Sequence, residues 1–167
     1  AYYGLVTLMD RNIGEILDAL AASPFASNTT ICYTSDHGDM AGEHGLWMKM
    51  SHYEGSVSVP MIFSGAGVGR EGAAVESVTS LLDVGPTLVE IAGAPSLPLV
   101  AGRSLARFLS GDGAPGDWPD EAISEILAWR FARMIRRGDW KLVQFEGYNT
   151  PQLFHVATDP EEFHDRG

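Results

Sequence analysis

A short apolar run that leads straight into a cluster of acids and histidines limits the possible folds of this chain. Residues Thr29 to Thr34 are β-branched or aromatic apart from Cys32 and do not strictly alternate with polar residues. This pattern predicts a strand covered on both faces, as in a parallel α/β sheet, although a short buried helix has the same pattern. In such sheets ligands bind beyond the carboxyl ends of the strands, where Asp36 and His37 lie.

The residues up to position 111 have the mixed pattern of an α/β unit. Apolar residues at helical spacing predict a first helix that ends near Ser23-Pro24 and begins without a capping residue, so we expect the chain to start inside a larger protein. The other predicted elements are a strand over Val57 to Phe63, with Pro60 marking an edge or a terminus, and helices over Ser80 to Ala92 and Ser104 to Leu109.

The pattern changes after a linker rich in glycine, proline and aspartate, SGDGAPGDWPD. Four strands are predicted beyond it, with Gly138-Asp139 as a hairpin turn: Ala122 to Ala128, Phe131 to Arg136, Trp140 to Phe145 and Gln152 to Val156. We therefore divide the chain into a first unit at 1–111 and a small antiparallel unit at 112–167.

Composition and charge exclude several classes of protein. The chain has 167 residues, of which 45% are hydrophobic, as expected for a globular domain, and its 11 basic and 22 acidic residues give a net charge of −11. This charge opposes binding to nucleic acid or to an anionic membrane. The single cysteine, Cys32, excludes a disulfide within the chain and is predicted to be a small buried hydrophobic residue.

No segment of the sequence predicts a membrane anchor. No stretch approaches the roughly 20 apolar residues of a membrane span, and the N-terminus has none of the features of a signal peptide. We expect a soluble protein, and both a bacterial cytoplasm and a periplasm are compatible with the sequence.

The tripeptide Asp36-His37-Gly38 has the chemistry of a metal site but is too short to define one. A carboxylate suits Ca²⁺, Mg²⁺ or Mn²⁺, and an imidazole moves the preference toward Mn²⁺ or Zn²⁺. Two ligands do not complete a site, and a helix cap or a surface loop has the same residues.

A longer series of motifs runs through most of the chain. It comprises TSDHGDM, GEHGLW, Lys49, Tyr53-Glu54 and Val59-Pro60, then DVGPTL at 83–88, GRSL at 102–105, MIRRGDWKL at 134–142, QLF at 152–154 and DPEE at 159–162. Together these motifs resemble the type I sulfatases of the alkaline phosphatase superfamily. Within the family, WMKM and YEGS at 47–56 are most similar to the choline-sulfatase branch. The resemblance covers almost the whole chain.

The resemblance implies an α/β fold and a reaction. The fold would be the C-terminal part of a mixed sheet with flanking helices, followed by a small antiparallel sheet with a helix against it. The complete enzyme would hydrolyse a small-molecule sulfate ester, as a metal-dependent sulfuric ester hydrolase, and the protein could form a homo-oligomer. Phosphonate and phosphate ester hydrolases of the same superfamily share the Asp-His-Gly motif and the lysine.

The same resemblance assigns three site residues. Asp36 and His37 match metal ligands for one divalent ion, which would be Ca²⁺, Mn²⁺ or Mg²⁺, and Lys49 matches the catalytic lysine that contacts the sulfate oxygens. A metal and an ammonium group held in place stabilise the negative charge of such an ester at the transition state.

Half of a sulfatase site is missing from these 167 residues. The family's nucleophile is a formylglycine made from the cysteine or serine of C/S-x-P-x-R, and no such motif occurs here. The aspartate pair that completes the metal site is also absent. We therefore expect a fragment that is inactive alone, with the formylglycine in the missing N-terminal part. A non-catalytic truncated paralogue is the alternative.

The remaining polar residues of the opening stretch have weaker assignments. For His44 we expect a hydrogen bond that stabilises the loop, and for Asp39 and Glu43 bonds to backbone N–H groups. His52 lies three residues after Lys49 and is a candidate substrate-binding residue that could instead be exposed.

Outside that stretch, Glu125 is a second candidate for substrate binding, because it lies near the position where the choline-sulfatase branch uses a carboxylate. Two other groups have ordinary structural interpretations. The four tryptophans, Trp47, Trp118, Trp129 and Trp140, could form a cation–π box, but core packing is the preferred prediction for most of them. Arg136-Arg137 is interpreted as a solvated hairpin end.

Overall fold

The computed structural model describes residues 2–127 and 131–167. In chain order its helices and strands are α1 (Tyr2–Ala21), β1 (Thr30–Thr34), α2 (Glu54–Val57), β2 (Met61–Gly65), α3 (Val84–Ile91), α4 (Ala106–Ser110), β3 (Glu121–Leu127), β4 (Phe131–Arg137), β5 (Trp140–Phe145) and β6 (Gln152–His155). The predicted mixed α/β class is confirmed. The division at residue 111 stays a prediction.

The first helix and the first strand form where the sequence predicts them. Helix α1 ends at Ala21, three residues before Pro24, which disfavours a helical conformation in the residue that precedes it. Strand β1 pairs with β2 in an antiparallel register that joins Thr34 to Met61. The parallel neighbour suggested by the β1 pattern does not occur among residues 2–127 and 131–167, and β1 is only partly buried along its length.

The segment around Pro60 differs from its prediction. A strand was predicted to begin at Val57, but Val57 ends the single turn of α2, and β2 begins only at Met61. Proline has no N–H to donate to a strand ladder, so pairing starts directly after Pro60. The turn of α2 contacts the loop that follows β1.

Helix α3 confirms the prediction over Ser80 to Ala92, with a tighter turn at its start. Residues Leu81–Asp83 form a 3₁₀ turn, and the Asp83 carboxylate accepts hydrogen bonds from the backbone N–H of Ser80 and, across the chain, of Arg103. The buried carboxylate therefore ties the GRSL segment to the start of the helix.

The second unit is the predicted antiparallel sheet, with strand order β3-β4-β5-β6. All four strand predictions are confirmed, although Ala128, the last residue of the first, lies outside the described residues. The two-residue turn Gly138-Asp139 joins Arg137 to its partner Trp140. Gly138 has a φ of +50°, a conformation that glycine adopts without the usual steric cost.

One face of this sheet is apolar and packs inward. Side chains two residues apart share a face, so Met134, Val143 and Phe154 meet across paired strands and are almost fully buried. Lys141 lies on the same face, between Val143 and the hairpin, with no exposed surface. A lysine on the core side of a sheet requires polar or charged partners.

The helix that was predicted to pack against this sheet is replaced by the short helix α2. No helix occurs after residue 111 in the described part of the chain, and the one-turn helix α2 meets the sheet instead, through Glu54. None of the helices in residues 2–127 and 131–167 is long and apolar enough to cross a membrane.

Candidate functional site

The loop directly after β1 holds Asp36 and His37 in a fixed arrangement. One carboxylate oxygen of Asp36, Oδ1, accepts a hydrogen bond from the backbone N–H of His37 at 3.0 Å. The Ser35 hydroxyl donates to the backbone carbonyl of His37 at 2.8 Å. The other carboxylate oxygen, Asp36 Oδ2, lies 3.4 Å from Nε2 of the His37 ring. The carboxylate and the imidazole therefore converge on one point.

The tautomer of His37 follows from its hydrogen bonds. Nδ1 lies 2.8 Å from the backbone carbonyl of Gly38, and because a carbonyl only accepts, Nδ1 carries the proton. The lone pair is then on Nε2, the nitrogen beside Asp36 Oδ2. A metal-binding histidine is oriented in this way, with one nitrogen bonded to a backbone carbonyl and the other free to coordinate.

Lys49 completes a cluster of the three predicted site residues. Its ammonium nitrogen lies 2.7 Å from Nε2 of His37 and donates to that lone pair, although the two residues are 12 positions apart. The backbone carbonyl of Lys49 accepts a hydrogen bond from the buried Ser56 hydroxyl at 2.6 Å. Asp36, His37 and Lys49 thus lie together, and α2 holds the lysine in place.

The loop and α2 are in direct backbone contact. The N–H of Gly38 donates to the carbonyl of Ser56 at 2.8 Å, and a Cβ atom at position 38 would lie only 2.0 Å from the carbonyl oxygen of Gly55. Only glycine fits at this contact. Because residue 38 has no side chain, the loop can lie directly against α2. This close contact lets His37 and Lys49 approach each other.

A cavity of about 610 Å³ opens beside this cluster. Asp36, His37 and Lys49 line one side of it, and the inner face of the sheet lines the other through Ser124, Met134 and Arg136, with Glu54 and Glu76 also in the wall. The site is therefore a cleft between the β1 loop and the C-terminal sheet, large enough for a small-molecule ligand.

Arg136 contradicts its interpretation as a solvated hairpin end. Its side chain is only 22% exposed and lines the cavity, and its guanidinium donates to the carbonyl of Gly138 at 2.5 Å and lies 3.8 Å from Glu54. Arg137, in contrast, is exposed and pairs with Glu121. Strand alternation separates the two arginines, and this signal was available in the sequence.

His52 is buried. It is only 3% exposed, so the alternative of an exposed residue is wrong, and it is not among the residues that line the cavity. Its role toward a substrate stays a prediction. The backbone of Ala132 lies beside the ring, but in the described part of the chain neither ring nitrogen has a partner at hydrogen-bonding geometry. Burial lowers the pKa of His52, and the charge of Lys141 lowers it further.

Glu125 lies along the cavity wall, but its carboxylate has a partner on the outer face. Its Oε1 atom accepts from Nε of Arg133 at 2.7 Å, and both side chains are at least half exposed. Glu125 is paired with Arg133 across β3 and β4, on the face opposite to Met134 and Arg136. Its role toward a substrate stays a prediction.

A buried network beneath the cavity was not predicted. The Lys141 ammonium forms an ion pair with Glu162 and donates to Oε1 of Glu54 at 2.7 Å and to the backbone carbonyl of His52 at 2.8 Å. Burial raises the pKa of Glu162, and the adjacent Lys141 opposes that rise. Position 141 alternates in phase with Val143, so its inward direction could have been read from the sequence.

The loop residues that were expected to have structural roles mostly have them. Asp39 Oδ1 accepts from the backbone N–H groups of Ala41 at 2.9 Å and Met48 at 3.2 Å. His44 Nε2 bonds to the backbone carbonyl of Glu161 at 2.7 Å, and its ring stacks on Tyr53. The predicted bond from the Glu43 side chain to a backbone N–H does not occur among the described residues.

The three tryptophans in the described part of the chain do not form a box. Trp118 packs edge-on against Phe108 and donates to the carbonyl of Val78, which confirms core packing there. Trp47 is 73% exposed and Trp140 is 43% exposed, so core packing is wrong for these two. Trp129 lies outside the described residues.

The donor atoms fit part of a divalent metal site. Asp36 Oδ2 and His37 Nε2 are ligands that Mn²⁺ accepts readily, and the carboxylate suits Ca²⁺ and Mg²⁺. Within residues 2–127 and 131–167, no group of three or more histidine, cysteine, aspartate or glutamate side chains is arranged to hold a metal. Asp36 and His37 are therefore two candidate ligands for such a site.

A family model described as Sulfatase matches residues 1–94, more than half of the chain. The chain belongs to the sulfatase family. The chain is 38% identical over 171 residues to arylsulfatase K of Mus musculus and 37% identical over 169 residues to choline-sulfatase of Rhizobium meliloti (strain 1021). These alignments cover 96% and 97% of this chain but 31% of each relative.

The solved structures agree with the sequence relatives. The phosphonate monoester hydrolase of Agrobacterium radiobacter superposes with a TM-score of 0.88 at 32% identity, over 98% of this chain and 36% of that protein. The chain therefore has a sulfatase-type fold and spans about a third of the length of the relatives it matches.

We expect Gly38→Ala to destabilise the fold by about 3 kcal/mol, the upper part of the usual range for overpacking, because its Cβ would collide with the backbone of Gly55. Urea unfolding measures the change. The matched control is Gly14→Ala in α1, where a Cβ has open space and should stabilise the helix by about 0.5–1 kcal/mol. Equal stability of the two variants would contradict the described contact.

The depressed pKa of His52 predicts how stability depends on pH. Its ordinary pKa is about 6.5 and its folded value is lower, so between the two values the unfolded chain binds more protons. The contribution is present above pH ~6.5 and is lost as the pH falls through the folded pKa. His52→Leu should therefore flatten the loss of unfolding free energy below pH ~6.5 in urea titrations. An unchanged slope in this variant would show that His52 does not titrate on unfolding.

Proposed function

We propose that the full-length protein is a metal-dependent sulfuric ester hydrolase that acts on a small-molecule sulfate ester. The observation that supports it is the cluster of Asp36 Oδ2, His37 Nε2 and Lys49 Nζ at one wall of the cavity. Both sequence relatives named above are sulfatases by name. Asp36 and His37 would hold one divalent ion, Ca²⁺, Mn²⁺ or Mg²⁺.

The residues of this chain would act on the charge of the ester. Lys49 presents an ammonium group to the non-bridging oxygens, where negative charge is concentrated, and its backbone is fixed by Ser56 before the substrate binds. His37 is kept in one tautomer by the carbonyl of Gly38, which places the lone pair on Nε2, and a bound metal ion would take the place of the Lys49 ammonium group there. A bound divalent ion would supply Lewis acidity toward the ester and the nucleophile.

The nucleophile is proposed to come from outside these residues. No C/S-x-P-x-R motif occurs in the chain, and the chain spans 31% of its named relatives. We infer that the formylglycine and the remaining metal ligands belong to the part of the sulfatase fold that these 167 residues do not contain. The chain alone would then be inactive.

A phosphonate or phosphate ester hydrolase is the second candidate. The likeness to the phosphonate monoester hydrolase of Agrobacterium radiobacter favours it, and the charge-stabilising role of Lys49 would be the same. Comparing the kcat/KM of the full-length protein for an aryl sulfate and for the matching phenyl phosphonate ester separates the two. A non-catalytic paralogue would hydrolyse neither ester.

Lys49→Ala in the full-length protein should lower kcat for an aryl sulfate by roughly 10²–10³-fold, because one preorganised cation at the developing charge is removed. Steady-state kinetics measure the loss. Arg137→Ala is the control, because it removes the same charge from an exposed pair with Glu121 outside the cavity. Turnover that Lys49→Ala leaves unchanged would refute the assigned role.

Metal binding by the 167-residue chain should be weak, because the described residues supply only two of the ligands. Isothermal titration calorimetry with Mn²⁺ and Ca²⁺, on the wild-type chain and on Asp36→Ala, measures it. Tight stoichiometric binding that Asp36→Ala abolishes would show instead that this chain holds a complete site.

A further inference from the structure

We propose that Glu162, in the C-terminal tail, is a positioning residue for His37 and Lys49 that acts through Lys141 and the one-turn helix α2. The proposal rests on the proposed function in treating His37 and Lys49 as site residues. Glu162 is distant from them in the sequence and does not line the cavity, so it would act through other residues and would not touch the substrate.

Both carboxylate oxygens of Glu162 are used, and both lead toward α2. Oε2 accepts a hydrogen bond from the backbone N–H of Glu54 at 2.7 Å, at the first residue of α2. Oε1 forms the ion pair with Lys141. The side chain is almost fully buried, so water does not substitute readily for either partner. One carboxylate thus fixes a turn that begins 108 residues earlier.

Lys141 extends the same attachment. The Lys141 ammonium group donates hydrogen bonds to the carbonyl of His52 and to Oε1 of Glu54, and its charge pairs with Oε1 of Glu162. The segment from His52 to Glu54 is therefore fixed at both ends from beneath.

From α2, two hydrogen bonds reach the site itself. The Ser56 hydroxyl donates to the backbone carbonyl of Lys49, and the Ser56 carbonyl accepts from the N–H of Gly38. Gly38 also sets the tautomer of His37 through its own carbonyl. A shift of α2 would therefore move Lys49 and His37 together. The path from Glu162 to either residue consists entirely of direct contacts.

A second attachment runs parallel to the first. The tail carbonyl of Glu161 accepts from the ring of His44, and that ring stacks on Tyr53, the residue before α2, with ring centroids 3.9 Å apart. The tail therefore holds the 43–45 turn and the start of α2, which flank Lys49 in the sequence.

The composition of the network favours a role in positioning over one in stability. A buried ion pair costs desolvation energy, and well-packed apolar residues of similar volume often stabilise a fold as much or more. What apolar residues do not supply is directional bonds to one backbone N–H and one carbonyl. The Glu162–Lys141 pair supplies both.

The first test is spectroscopic and needs no catalytic activity. Glu162→Gln keeps the volume but has a single acceptor oxygen, so the bond to Glu54 N–H and the pair with Lys141 are not both retained. Long-range ¹H–¹⁵N spectra of the 167-residue chain at pH 8 report the tautomer of His37. We expect one Nδ1–H tautomer in the wild type and a mixture in Glu162→Gln.

The matched control is Glu161→Gln, whose side chain is exposed and whose backbone carbonyl is unchanged. It should give the wild-type spectrum. A wild-type His37 signal in folded Glu162→Gln would overturn the proposal.

If Glu162→Gln does not fold, Glu162→Asp is the second variant, because it keeps the charge beside Lys141 and shortens the reach to Glu54. It should shift the His37 signals, and a wild-type spectrum would overturn the proposal equally.

The second test uses turnover by the full-length protein. Glu162→Gln should lower kcat by about 10- to 100-fold and change KM less than about threefold, because misplaced groups lose transition-state contacts first. Glu161→Gln should match the wild type. A change in KM alone would contradict a positioning role. If the His37 spectrum of Glu162→Gln shifts while Lys49→Ala retains full turnover, the proposed function fails and the positioning role of Glu162 holds. If the His37 spectrum is unshifted while Lys49→Ala loses most of its turnover, the positioning role fails and the proposed function holds.

Discussion

The contact between the backbone of Gly38 and the backbone of α2 is the constraint on which the site depends. It brings the end of β1, which carries Asp36 and His37, against the turn that fixes Lys49. A side chain at position 38 would have to occupy the space of the Gly55 carbonyl. Since the two segments meet through main-chain atoms, the separation of His37 and Lys49 is set by backbone geometry and not by flexible side chains.

Local signals in the sequence were enough for most of the fold. Two short strand-like runs on either side of a Gly-Asp turn define β4 and β5, and the helical spacing of apolar residues defines α1. The error came at Val57, where β-branched residues favour a strand but Pro60 prevents ladder pairing until Met61. The parallel neighbour suggested for β1 was not predictable from β1 itself, because a run of apolar residues records burial and not the direction of the partner strand.

The site was predictable only where its residues are close in sequence. Asp36, His37 and Lys49 lie within one short stretch, and the family resemblance selected them. The roles of Arg136 and Lys141 depend on Glu54 and Glu162, partners that lie far away along the chain. A cation beside a hairpin is usually solvated, so without those partners the ordinary interpretation was the reasonable one. Strand phase alone indicated that both side chains point inward.

The distribution of charge around the cavity decides where an anion would be favoured. The chain carries a net charge of −11, which repels an anionic ester at long range. Its two lysines, however, both lie at or beneath this one cavity. Lys141 is neutralised by carboxylates, whereas Lys49 has the His37 lone pair as its hydrogen-bond acceptor and keeps its full charge available to the cavity. The carboxylates in the cavity wall, Asp36, Glu54, Glu76 and Glu125, oppose that charge, while Arg136 offsets Glu54 and Arg133 offsets Glu125. An anion would therefore be favoured only at the Lys49 end of the cleft, and more strongly when a divalent ion on Asp36 and His37 adds positive charge there.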